Sequence, residues 1–385
     1  MSAPTARLGD LVDILSGFAF DAANFSDEGD IALIRIRDVV RGQSNTFYRG
    51  DYDDKYLIQH GDILIGMDGE FNRARWKSAP ALLNQRVCRI KSSSPKLSDE
   101  YLFHFLPAAL KAIEDTTSFV TVKHLSAKQI KDISIPLPPV EEQRRIAAIL
   151  DQAETLRTQR RTALALLDSL TQSLFLDMFG DPATNPKGWE GMSLGNTALK
   201  FSDGPFGSNL KSSHYTDTGV RVIRLQNIGV GKFIDKDRAF VSEEHFETLR
   251  KHECLPGDVL VGTLGDPNLR ACIQPKSLER SLNKADCVQL RPNPKIATAE
   301  FLCALLNQPT VETMAHDLMQ GQTRVRISMG RLRGLVVPIP PVELQQTFAT
   351  RIASIEALKA IHRRALAALD ALFASLQQRA FAGQL

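Results

Sequence analysis

The chain is short of what a catalyst, a secreted protein or a membrane protein would need. Five cysteines, Cys88, Cys254, Cys272, Cys287 and Cys303, are odd in number and include no C-x-x-C pair, so buried free thiols are expected rather than disulfides or a metal site. No run of about eighteen apolar residues occurs, and the first residues carry no apolar signal core, which points to a cytoplasmic protein without a membrane partner. H-E-x-x-H and G-x-S-x-G are absent, and no two of the eight histidines stand four apart, which leaves no zinc-hydrolase or serine-hydrolase reading. Gly229-Val230-Gly231-Lys232-Phe233 lacks the upstream glycine and the following hydroxyl residue of a phosphate loop and reads as a turn. Asp62 and Asp258, each after a glycine at a strand start, read as turn residues rather than catalytic carboxylates. A net charge of +3 is too small to demand nucleic acid, so any such surface must be a local patch.

What is present is a duplication. Pro136, Pro138 and Pro139 deliver the chain into about forty residues, ending near Phe179, that contain no Gly or Pro and are rich in Leu, Ala, Gln, Glu and Arg. That composition predicts a long helix. Adding 202 maps this stretch without a gap onto Pro338 to Phe381: Gln143 meets Gln345, Arg161 meets Arg363, Asp168 meets Asp370 and Phe179 meets Phe381. Apolar residues at steps of three and four form a seam, for which Ile146, Ile149, Leu156, Leu167 and Leu174 are expected in one copy and Ile355, Leu358, Leu369 and Leu376 in the other. Arg160 and His362 interrupt it at one place and are expected to fix register.

The segment before each helix is duplicated more loosely. Leu8-Gly9 matches Leu194-Gly195, Gly61-Asp62-Ile63 matches Gly257-Asp258-Val259, and Leu83-Asn84 matches Leu282-Asn283, with an offset drifting from 186 to 202. Short β-branched runs such as Ile31 to Ile36, Ile63 to Ile65 and Val87 to Ile90, with Val220 to Leu225, Val259 to Val261 and Val288 to Leu290 opposite them, read as strands. Helical patterning recurs near Glu100 to Glu114 and Glu300 to Leu318. The expected fold class is mixed α/β (α+β). Residues 1–138 and 181–340 form two similar globular domains, the second opening on a 181–190 linker. They are separated by two long antiparallel coiled-coil helices, 139–180 and 341–385, in a pseudo-two-fold internal repeat.

The helix entries Pro136-Leu137-Pro138-Pro139-Val140-Glu141-Glu142-Gln143 and Pro338-Ile339-Pro340-Pro341-Val342-Glu343-Leu344-Gln345, with Gly204-Pro205-Phe206-Gly207-Ser208-Asn209-Leu210, resemble the specificity (S) subunit of type I restriction-modification systems. The resemblance covers essentially the whole chain. It implies two target recognition domains, each reading half of a split double-stranded DNA site, and a helix pair that sets the gap and docks two methyltransferase (M) subunits, with restriction (R) subunits joining them. It implies no catalysis and no cofactor in this chain, and S-adenosylmethionine, ATP and Mg on the partner subunits. The first domain departs from the pattern with Ser16-Gly17-Phe18-Ala19-Phe20 in place of the Gly-Pro-Phe-Gly-Ser run.

The residues that would touch DNA lie in polar loops beside strands. Gly321-Gln322-Thr323-Arg324-Val325-Arg326 in the second copy corresponds to Thr121-Val122-Lys123-His124 in the first. Arg can clasp guanine and Gln adenine, whereas Lys serves mainly phosphate. Gln322, Arg324, Arg326 and Lys123 are therefore candidates, joined by Arg73, Arg75 and Lys77 in the first copy and by Arg270, Lys211 and His214 in the second. Arg35, Arg37, Arg224, Gln226 and Asn227 alternate on an expected strand and read equally as groove contacts or as a wet sheet face. Two other classes fit less well: an enzyme with unrecognised motifs, and a protein-only scaffold with two binding heads on a rigid rod.

Overall fold

A computed structural model describes residues 4–116, 123–265, 267–320 and 325–385. It divides into two compact units, Met1–Arg161 with Arg364–Leu385, and Thr162–Arg363. Each unit therefore takes part of both long helices, Val140–Phe179 and Val342–Phe381, which run for 40 residues apiece, roughly 60 Å.

The heads repeat one topology. In the first, strands Val12–Ser16, Val87–Ser92, Ile63–Gly66 and Arg73–Arg75 form an antiparallel sheet in that order. Beside it lies a five-stranded sheet of very short strands with one parallel pair, Ile31–Ile34 against Ala81–Leu83. In the second head, Ala198–Ser202, Cys287–Pro292, Val259–Gly262 and Arg270–Ile273 repeat the first sheet, and Val220–Ile223 against Ser281–Asn283 repeats the parallel pair. The strand read at Ile31 to Ile36 stops at Ile34, and Ile36–Arg41 is a helix. Its counterpart stops at Ile223 before a 3₁₀ turn at Leu225–Asn227. The cause is local: the side chains of Asp38 and Asn227 accept from the backbone N–H of Arg35 and Arg224, closing a turn where an extended run was expected. The helix read from Glu300 to Leu318 is two helices, Ala299–Leu306 and Pro309–Met314, because Pro309 begins a new one. Its counterpart, Asp99–Thr116, runs through Pro107 unbroken.

The long helices complete the core of each unit. In the first unit Ile146 and Leu150 of one helix and Ala380 of the other are buried with Tyr101, Leu102 and Leu106. In the second, Phe175, Phe179 and Phe348 are buried with Phe301 and Leu302. Phe381 stands 5.2 Å from Tyr101, as Phe179 stands 4.9 Å from Phe301. The proline-to-glutamine entry has a mechanical reason. Gln143 is fully buried, accepts from Ser98 N and donates to the carbonyls of Lys96 and Pro138. Gln345 accepts from Thr298 N and donates to Ile296 and Pro340 in the same way. One amide thus ties each helix entry to its head.

Within each unit the helices run antiparallel. Arg157 meets Asp370 and Arg145 meets the Leu385 carbonyl in the first unit, while Lys359 meets Asp168 and Arg351 approaches Met178 in the second. The seam departs from expectation at one register. Leu156 and Leu358 are 39% and 43% exposed, and the next residues turn inward instead: Arg157 and Lys359, 202 apart. Arg157 pairs with Glu154 and Asp370, and Lys359 with Glu356 and Asp168. Ile146 is buried, and Ile149, Leu167, Leu174, Ile355, Leu369 and Leu376 are half-buried. Arg160 and His362 are also half-buried, next to the points where each helix passes from one unit to the other.

Candidate nucleic-acid interface

In each head the turn after the Gly-Asp strand is bridged by a short segment that returns before the long helix. Asp68 forms a backbone bridge with His124, and Leu264 with Arg326. Leu125 N donates to the Met67 carbonyl and Ile327 N to that of Thr263. Asn268, buried, donates its side-chain amide to the Val325 carbonyl and so seats the same segment in the second head. Position 124 in one head and position 326 in the other are thus equivalent in space as well as in sequence.

A carboxylate lies beside each of these positions. His124 Nδ1 lies 2.7 Å from Asp68 Oδ1, and Arg86 Nη1 lies 2.8 Å from Asp68 Oδ2. Arg326 Nη1 lies 3.8 Å from Asp286 Oδ1. Both the His124 and the Arg326 side chains are 55% exposed. A cavity of about 70 Å³ is lined by Arg326, Asp286, Asp203 and Phe206. Phe206 is half exposed, as is Phe18, which follows the corresponding glycine.

The glycines of those motifs have a steric duty. An added Cβ on Gly17 would lie 2.1 Å from the Asn84 carbonyl oxygen, and one on Gly204 would lie 2.2 Å from the Lys284 carbonyl carbon. The loop bearing each exposed phenylalanine is therefore pressed onto the strand turn beside the His124 or Arg326 site. The first head, lacking the full Gly-Pro-Phe-Gly-Ser run, keeps the glycine and the phenylalanine.

Several sequence candidates are engaged elsewhere. Arg73 lies 3.5 Å from the Phe103 ring centre and is mostly buried, which pushes its pKa down to about 10. Arg75 shares that ring at 4.7 Å and donates to the Gly61 carbonyl. Lys123 donates to the Glu114 carbonyl at 2.6 Å. The Arg270 guanidinium donates to the carbonyls of Ile228, Leu264, Pro267 and Leu225, so it braces a loop. Lys77 is exposed beside Gly42. Lys211 is exposed, its backbone N–H 3.3 Å from His214 Nδ1, and the His214 ring lies tilted against that of His245 with centres 4.3 Å apart. Gln322 and Arg324 lie outside the described residues. Of the residues expected on a strand, Asn227 is buried and bonded to the Ile234 and Lys236 carbonyls, so it holds a turn. The sequence reading did not single out Asp68, Arg86, His124 or Asp286 as site residues, although the offset of 202 already aligned His124 with Arg326.

The Gly-Asp carboxylates serve the scaffold. Asp258, buried, accepts from Leu255 N, from Arg291 at 2.8 and 2.9 Å, and from Gln289. Asp62 accepts from Gln59 N, with Arg89 at 3.9 Å. Burial raises the pKa of Cys88, Cys272 and Cys287 to about 12, as befits core thiols. Among the described residues no group of His, Cys, Asp and Glu could hold a metal ion, and no helix is long and apolar enough to cross a membrane.

Each copy of the duplicated head thus offers an exposed polar side chain beside a carboxylate at the same place. Comparison with known proteins narrows the class. A family model for the type I restriction modification DNA specificity domain matches residues 4–165. The chain is 29% identical to the type I restriction enzyme EcoBI specificity subunit of Escherichia coli, over 97% of this chain and 84% of that one. It is 22% identical to the MjaVIII specificity subunit of Methanocaldococcus jannaschii, over 80% and 75% respectively. The solved S subunit of a type I system from M. genitalium shares the fold with a TM-score of 0.58 at 16% identity, covering 98% of this chain and 96% of that one. The chain is thus similar over nearly its whole length to the specificity subunits of type I restriction enzymes, and its first part matches the model of their DNA specificity domain.

Proposed function

We propose that each unit reads one half of a split double-stranded DNA sequence, and that the two continuous helices set the gap between the halves. The observation that carries this reading is the duplication itself: one head topology, one glutamine clamp and one exposed basic position occur twice in a single chain. A protein that recognised one contiguous site would have no use for two copies on duplicated helices. Arg326, with Gln322 and Arg324 of the same loop, contacts bases, and Lys77, Lys211 and His214 contact phosphates. Arg75, Lys123 and Arg270 are left to the scaffold because they donate to backbone carbonyls, and Arg73 because it is mostly buried against the Phe103 ring.

Two methyltransferase subunits dock on the helices, and restriction subunits join the complex in the cytoplasm. S-adenosylmethionine, ATP and Mg belong to those partners. Support comes from apolar residues that the seam leaves outside: Leu166, Leu170, Leu358 and Ile361 in the second unit and Leu156 and Leu372 in the first are all between 39% and 64% exposed. Such apolar surface on a helix is material for a partner. The test is the sequence around methylated adenines in DNA of cells carrying this chain with its methyltransferase partner. Two short blocks at a fixed gap are expected. A contiguous motif, or no methylation that depends on this chain, defeats the proposal.

A further inference from the structure

We propose that position 124 of the first head and position 326 of the second are the matching base-reading positions, and that they read opposite chemistry: an amino-bearing base (adenine or cytosine) at His124 and guanine at Arg326. This rests on the split-site reading above and adds which residue reads in each half and what it accepts.

The backbone argument comes first. Both residues sit on the returning segment, each bridged to the turn after the central strand, and each is followed by a buried residue, Leu125 or Ile327, that bonds back to that turn. Their side chains are therefore anchored at the Cα and open at the tip.

The side-chain argument gives the chemistry. The Asp68 carboxylate can only accept, so the His124 nitrogen facing it at 2.7 Å, Nδ1, carries the proton. In that tautomer the other ring nitrogen, Nε2, carries a lone pair and is an acceptor. In the major groove the groups that donate are the exocyclic amines, N6 of adenine and N4 of cytosine, while guanine and thymine offer keto oxygens at the corresponding place. Arg86 on the other Asp68 oxygen holds the carboxylate in place. The second head inverts each element. Leu264 replaces Asp68 and cannot orient a histidine, the acid has moved to Asp286, and Arg326 presents donors only. A guanidinium fork matches guanine O6 and N7.

The experiment compares methylated motifs in cells expressing the full chain with its methyltransferase partner. Wild-type chain establishes the two blocks. Arg326→Ala is expected to relax a guanine position in one block by roughly tenfold and to leave the other block intact. His124→Arg is expected to move one position of the other block from adenine or cytosine to guanine. If His124→Arg instead stops methylation, His124→Ala decides: relaxation of one position upholds the assignment, and an unchanged motif overturns it. Unchanged motifs in the Arg326→Ala and His124→Arg chains, or loss of definition in both blocks together, also overturn it. A wild-type motif that is not split would instead refute the two-half reading, so the two failures are told apart.

Discussion

The two heads agree at the clamps and glycine contacts that anchor each one, and differ at the matching exposed position. Gln143 and Gln345 make the same three bonds, and Gly17 and Gly204 press on the same strand turn. At the equivalent exposed position one head carries a histidine steered by Asp68, the other an arginine beside Asp286. Duplication followed by this pattern of change separates positions that packing restrains from positions left free to vary, because a packed scaffold drifts slowly while a polar loop drifts freely.

The comparison breaks most easily at the glycines. Gly204→Ala places a methyl group 2.2 Å from backbone that cannot swing aside, which should cost about 3 kcal/mol or more and disable the second head. Gly17→Ala should do the same to the first. Urea unfolding of the full chain is expected to show one early transition and one preserved transition in each variant. Two unaffected transitions would mean the loops are not seated as described.

Next come the clamps. Gln143→Ala and Gln345→Ala each strand one backbone N–H and two carbonyls in a dry interior, for about 2–3 kcal/mol, and the two losses should match within the error of the melts. A marked inequality would show that the entries are not mechanically equivalent. The Gly-Asp carboxylates should be unequal for a visible reason. Asp258→Asn leaves Arg291 without its two-pronged partner in a buried setting, about 2 kcal/mol, whereas Asp62→Asn disturbs only a turn and a distant arginine, below about 1 kcal/mol.

These features were legible in the sequence to different degrees. The repeat, the long helices and most strands followed from an offset of 202 and from short β-branched runs, since those patterns reflect burial. The turn at Asp38 was missed because Ile34-Arg35-Ile36 looks extended until one side chain caps its own backbone. Arg73 and Arg270 looked like DNA contacts because sequence shows a charge but not what it touches. A ring at 3.5 Å or four carbonyls consume that charge, and neither is adjacent in the chain. Leu156 was read as seam, and the inward-facing Arg157 went unread, for a related reason: over forty residues, a helix with 3.6 residues per turn drifts against a repeat of 3.5.

That one-residue error sets the smallest of the expected effects. Lys359 is 5% exposed, yet its partners Asp168 and Glu356 are 67% and 49% exposed, so removing the lysine returns two carboxylates to water rather than leaving them stranded. Lys359→Met should then change stability by less than about 1 kcal/mol, since lost pairing is offset by the relief of burying an ammonium. Arg157 is the less replaceable partner in this comparison, because its guanidinium also lies 4.4 Å from the Phe373 ring centre, and Arg157→Met should cost about 1–2 kcal/mol. Urea melts of the two variants test the ranking. A Lys359→Met loss above about 2 kcal/mol would mean that the lysine specifies the seam in the second unit, not merely occupies it, and that the two helix crossings differ in kind.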